Sequence, residues 1–243
     1  MKKYILAMAV TLTAVAAQAK TLIVYYSYTN NVERIVTELR NQIEADVIEV
    51  EPAEKGLDYA ANNYAIGSAQ IAAIRENPDD ASSYPAIDPM NVDLSQYSTI
   101  IVGTPLWWSD MAAPLQTFLF QRGEEMAGKN IGLIVSSASS GISGVEADAK
   151  RLIPDGKFLI PSLWIKSSQT SNAAALISDW LKTIGYESLA GIETVTSDYN
   201  PDNDMTIYNL SGQRITGNGN PPKGIYIVRY TDGNMIQTKK IML

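Results

Sequence analysis

The chain has 243 residues, 46% of them hydrophobic, with 19 basic against 26 acidic side chains and a formal charge of −7. It contains neither cysteine nor histidine, which excludes disulfides, thiol chemistry and Ser-His-Asp catalysis and leaves zinc or haem without their usual ligands. The acidic balance argues against nucleic acid or an anionic membrane as partner.

The length suits one large α/β domain, alone or with an appendage. At the N-terminus, Lys2 and Lys3 precede an apolar run from Tyr4 to Ala16, and Ala17-Gln18-Ala19 is a small-x-small cleavage signal. Residues 1–19 therefore read as a secretory signal peptide cut before Lys20, too short to span a bilayer. A soluble protein of the periplasm or exterior is expected, with no cysteine to make it a bacterial lipoprotein. Losing both lysines takes the charge to about −9 and strengthens its repulsion of polyanions.

Thr21 to Tyr26 have the composition of a buried strand. Ser27, Thr29, Asn30 and Asn31 follow, and then Val32, Ile35, Val36, Leu39 and Ile43 recur at helical spacing. A strand turning sharply into a helix offers free N–H groups to an anion. The same residues would equally serve an ordinary βα turn with Ser and Asn as caps. There is no lysine and no GxxxxGK(S/T) pattern here, which disfavours a nucleoside-triphosphate loop. Ser27-Tyr28-Thr29-Asn30-Asn31-Val32 resembles the phosphate loop of the flavodoxin family, S/T-x-T-G-N-T, which wraps the phosphate of FMN. Asn30 replaces the glycine and enters positive-φ conformations readily. Val32 replaces the last threonine but keeps its amide. The resemblance implies Ser27, Thr29, Asn30, Asn31 and Val32 as cofactor contacts.

Asp46 to Val50 reads as a second strand ended by Pro52. In the long connector to Tyr97, the stretch with Tyr59, Ile66, Ile71 and Ile74 suits a helix. The part with Pro78, Pro85 and Pro89 reads as a surface loop. It carries no evident chemical constellation and reads as surface decoration. Ser98 to Val102 is a central strand, followed by Gly103-Thr104-Pro105-Leu106-Trp107-Trp108-Ser109 and a helix entered near Asp110 with Pro114 close to its start. An α/β sheet opens its ligand crevice at the carboxyl ends of its strands. Two indoles there either stack on a planar ligand or plug a gap beneath a loop. The segment is similar to the G-x-P-x-W-W stretch of long flavodoxin-like proteins, which implies Thr104, Pro105, Leu106, Trp107 and Trp108 as flavin contacts.

Asn130 to Ser136 gives a further strand, and small residues from Ser137 to Gly144 lead into a helix begun by Val145, Ala149 and Leu152. Small residues let amides approach a ligand closely, although a plain flexible loop has the same composition. The position resembles the flavodoxin loop that bonds the flavin's pyrimidine edge, implying Ser137, Ala138, Ser139, Ser140 and Gly141. Phe158 to Ile165 is the last strand, with Pro161 marking a sheet edge. Ser171 is placed to cap a helix whose face is Leu176, Ile177, Trp180, Leu181 and Ile184, closed by Gly185. Five strands alternating with helices predict a doubly wound parallel sheet over residues 20–186. The flavodoxin resemblance implies the strand order 2-1-3-4-5.

Residues 187–204 read as a polar linker and 205–243 as a small all-β appendage of two hairpins, one over Thr206–Ile215 and one over Gly224–Leu243. The segments IYNLSGQRI, KGIYIV and KKIML resemble the carboxyl-terminal sorting domain of type IX secretion substrates; a plain β appendage is the other reading. The flavodoxin resemblance implies non-covalent FMN and electron transfer to a redox partner protein or small-molecule acceptor that the sequence does not identify. An NAD(P)H-dependent FMN or quinone reductase and a cofactor-free binding module are the alternatives. No catalytic acid, base or metal set stands out.

Overall fold

The computed structural model describes residues 20–189, 192–194, 206–210, 212–215, 224–232 and 235–242; the signal-peptide segment and much of the linker lie outside them. In chain order the main unit runs β1 (Lys20–Tyr25), α1 (Asn31–Arg40), β2 (Asp46–Glu49), α2 (Ala61–Glu76), β3 (Tyr97–Trp107) and β4 (Asp110–Met111). It continues α3 (Ala113–Arg122), β5 (Asn130–Ser137), α4 (Ser143–Leu152), β6 (Lys157–Phe158), β7 (Leu163–Lys166) and α5 (Ala173–Thr183).

Parallel pairing sets the order β2-β1-β3-β5, with β6 and β7 both on the far side of β5. This is the doubly wound α/β sheet expected. Its period-2 alternation explains the two helical layers. Leu22, Val24, Ile100, Val102, Leu133 and Val135 face one way, onto Leu115, Phe118 and Leu119 of α3, Val145 of α4 and Ile71 of α2. Ile23, Ile101 and Ile134 face the other, onto Ile35 and Leu39 of α1 and Ile177 and Trp180 of α5. The strands are apolar on both faces because both faces are covered.

Three local features differ from the sequence expectation. The last strand is split: β6 pairs with Asn130–Ile131 and β7 with Ile134–Ser137. Pro161 lies in the break, where it has no N–H to donate, and its carbonyl accepts the Trp180 Nε1–H at 2.8 Å. The segment after Val102 is not loop, because β3 extends to Trp107 and turns back antiparallel into β4. Asp110 therefore lies in a strand, and α3 begins at Ala113. Finally, Ser171 does not cap α5; a 3-10 turn over Ser167–Asn172 leads into it, and Asn172 makes no side-chain cap.

Beyond α5 come α6 (Tyr186–Leu189), β8 (Ile192–Thr194), β9 (Thr206–Tyr208), β10 (Ile225–Asp232) and β11 (Met235–Met242). The last two form an antiparallel hairpin, flanked by β9 on β10 and by β8 parallel to β11. Ile207, Tyr226, Val228 and Ile241 give this sheet a small core. Lys240 Nζ donates to Glu44 Oε2 at 3.0 Å, just beyond the carboxyl end of α1. Among the described residues no helix is long and apolar enough to cross a membrane.

Candidate functional site

At the carboxyl edge of the sheet a cavity of about 460 Å³ is lined from all three turns, within the size range of small-molecule sites. The turn after β1 contributes Ser27, Tyr28, Thr29, Asn31 and Val32. The end of β3 contributes Pro105, Leu106, Trp107 and Trp108, and the end of β5 contributes Ser136, Ser137 and Ala138. The tryptophan pair and the serine–asparagine turn thus line one cavity.

The first turn is built for donation. Asn30 holds φ 60°, which lets the chain swing from strand into helix, and its own side chain makes no cap bond to α1. The amides of Asn31 and Val32 consequently enter the helix without an intrahelical acceptor. Ser27 Oγ accepts the Glu33 amide at 3.3 Å, and Thr29 Oγ1 accepts Asn31 Nδ2 at 3.2 Å, so both hydroxyl hydrogens remain to donate. Asn30 itself is exposed at the turn and lies outside the cavity wall.

Trp107 is locked among aromatics: Tyr59 at 4.9 Å, Tyr26 at 5.5 Å and Trp108 at 6.4 Å between ring centroids. Trp108 is 41% exposed and leaves more of its indole free. Thr104 is fully buried and away from the cavity; its Oγ1 donates to Pro105 O at 2.8 Å and accepts the Ala112 amide at 3.3 Å. Its hydroxyl is spent on the corner into α3.

In the third turn, Ser137 Oγ accepts Trp164 Nε1 at 2.8 Å and donates to Ser140 O at 3.1 Å. Ser139, Ser140 and Gly141 are exposed and outside the cavity wall. Ser136 and Ser167 stand there instead. Ser167 follows β7, and its Oγ donates to Ser137 O at 3.3 Å.

The connector contributes what sequence reading missed: Tyr59, Tyr64 and Gly67. Tyr28 ties it to the first turn, donating to Asp58 Oδ1 at 3.1 Å and accepting the Ala60 amide at 3.0 Å. Asn62, Asn63 and Tyr64 all have left-handed φ, of 49°, 57° and 63°, and bring Tyr64 to the cavity mouth at 52% exposure. Three successive non-glycine residues in that region carry backbone strain, which concentrates at functional sites.

The lining contains no charged side chain. Burial pushes the Tyr26 and Tyr59 phenols upward, so they remain protonated. Among the described residues no group of acidic side chains could hold a metal ion. The site can bind an anion through neutral donors and a flat ring through aromatic surfaces, but it holds no acid–base pair.

No curated protein matches the chain significantly. Among solved structures, a putative flavoprotein from Bacteroides eggerthii is similar at 22% identity and TM-score 0.55, over 69% of this chain and 98% of its own. One from Bacteroides uniformis gives 23% and 0.53, over 66% and 98%. A Lactobacillus acidophilus flavoprotein solved in complex with FMN gives 22% and 0.51, over 64% and 99%. These likenesses establish the fold. The family model described as Flavodoxin matches residues 20–184, well over half of the chain and all three cavity-forming turns: the chain belongs to the flavodoxin family.

Proposed function

We propose that this protein binds FMN non-covalently in the aromatic cavity and works as an exported electron carrier. The observation that carries the reading is the pairing, within one cavity, of a helix start whose Asn31 and Val32 amides lack intrahelical acceptors, flanked by two hydroxyls with hydrogens to donate, with the Trp107–Trp108 pair. That donor set suits a phosphate and the indoles suit a flat tricyclic ring. Ser27, Thr29 and the Asn31 and Val32 amides would hold the phosphate, with Trp108, Leu106 and the Ser136–Ala138 strand end beside the ring. When bound, FMN supplies the one- and two-electron chemistry, and the protein sets its potential. This chain's residues bind, orient and partly exclude water. Family membership and the FMN-bound Lactobacillus relative support the reading.

Wholly uncharged walls in a protein of charge −7 should disfavour added negative charge on the ring. A redox titration of the FMN-loaded protein is expected to give a midpoint potential below that of free FMN; a value well above it would refute this low-potential reading. The redox partner is a protein or small acceptor, neither a nucleic acid nor a membrane. Residues 1–19 act as the export signal, placing the protein in the periplasm or outside the cell, and residues 205–243 as a sorting domain after the linker. Mass spectrometry of the exported protein tests both, the expected species starting at Lys20 and lacking the tail.

A further inference from the structure

We infer that Arg75, on the last turn of α2, is a positioning residue for Trp108, an assignment that rests on the FMN reading only where cofactor affinity is the readout. The β3–β4 register pairs Trp107 with Asp110, leaving Trp108 and Ser109 as a two-residue hairpin turn. Their φ values are 48° and 76°. Hairpins with two positive-φ residues normally use Asn-Gly or Gly-Gly. A tryptophan and a serine there carry a steric cost that neighbouring contacts must offset.

Arg75 supplies that offset. Its Nη2–H donates to the Trp108 carbonyl, and its Nε–H donates to Asp110 Oδ2 at 2.7 Å. One planar guanidinium therefore clasps the residues on either side of Ser109, a two-point grip that a lysine ammonium cannot reproduce. Two close approaches complete the seat. A Cβ on Gly144, at the start of α4, would fall 2.2 Å from the Ser109 carbonyl oxygen, so the turn rests on that backbone. A Cβ on Gly67 would fall 3.0 Å from Trp108 Cζ3, so α2 lies directly against the indole. Gly67 seats the ring and Arg75, two turns further along the same helix, fixes the backbone that carries it. Arg75 is absent from the cavity wall, so its effect on a ligand passes through Trp108.

The test uses the full chain labelled with 5-fluorotryptophan, whose four tryptophans give four fluorine signals; Trp108→Phe assigns the relevant one. In the cofactor-free protein, Arg75→Gln is expected to shift and broaden the Trp108 signal and leave those of Trp164 and Trp180 in place. Arg75→Lys should do the same in part. Adding Ser109→Gly, which removes the turn's steric cost, should restore the signal in Arg75→Gln. With FMN, Arg75→Gln should raise the dissociation constant roughly tenfold through lost preorganisation, yet have no further effect in a Trp108→Ala background. An unmoved Trp108 signal, or equal weakening by Arg75→Gln with and without Trp108, overturns the inference. If the wild-type chain takes up no FMN, the cofactor reading falls while the fluorine spectra still decide the clasp.

Discussion

Ser27 and Thr29 each present a hydroxyl with a hydrogen left to donate at the first turn. Each such donor to a charged phosphate is worth about 1.5–3 kcal/mol. Ser27→Ala and Thr29→Val are each expected to weaken FMN binding roughly tenfold or more, the fold-change that energy implies. Riboflavin, which lacks the phosphate, should bind the variants as it binds the wild type; paired fluorescence titrations check this. A different residue answers to pH. Burial raises the Asp148 carboxyl, helped by Asp110 and opposed by the Met111 amide and Arg151. The folded chain therefore holds this proton more tightly than the unfolded chain. Its stabilising contribution is complete below the ordinary carboxylate range and is lost as pH rises through the raised value. Urea unfolding of wild type against Asp148→Asn should show the wild type losing ground across that interval; parallel profiles would contradict it. Asn30 was legible as a left-handed residue because Asn tolerates that region. Trp108 and Ser109 were not, because no glycine or asparagine announces their turn.

The strands and helices of the main unit could be read because apolar runs and 3.6-residue spacing reflect burial directly. Their joints could not. Pro161 was read as an edge residue, but it lies in a break in the strand where Trp180 reaches its carbonyl from α5. The same indole lies over Gly132 of β5, where a Cβ would sit 3.1 Å from Trp180 Cη2. Trp180 thus fastens α5 to the break in the split strand and to β5 beside it. Trp180→Ala should cost about 3–5 kcal/mol, as large aromatic truncations do, while Trp180→Phe should recover part of it; chemical denaturation measures both. Helix α2 gave the weakest sequence signal, being alanine-rich and lacking a clean apolar stripe. It nevertheless supplies Tyr64 and Gly67 to the cavity and Arg75 to the adjacent turn, all through contacts distant in sequence. Ser167 was missed for the same reason: it reaches the cavity only because β7 lies beside β5.

Across the whole molecule, the sheet sorts roles by edge. The cavity lies where strands end and α1 begins, while the small β sheet touches the other end of α1 through Lys240 and Glu44. The family match likewise stops at residue 184. Net negative charge sets a further condition on binding, since a phosphate must approach a chain of charge −7, about −9 without Lys2 and Lys3, with no cation in the cavity wall. Salt screens that repulsion for charges lying more than about one Debye length from the phosphate, roughly 10 Å at 0.1 M salt. FMN affinity should consequently rise with ionic strength. The most direct measurement is a titration of the purified chain, residues 20–243, with FMN at low and high salt, following flavin fluorescence and visible absorbance. A yellow one-to-one complex with quenched flavin emission is expected, tighter at high salt. A protein that stays colourless and leaves FMN fluorescence unchanged at either salt would contradict it.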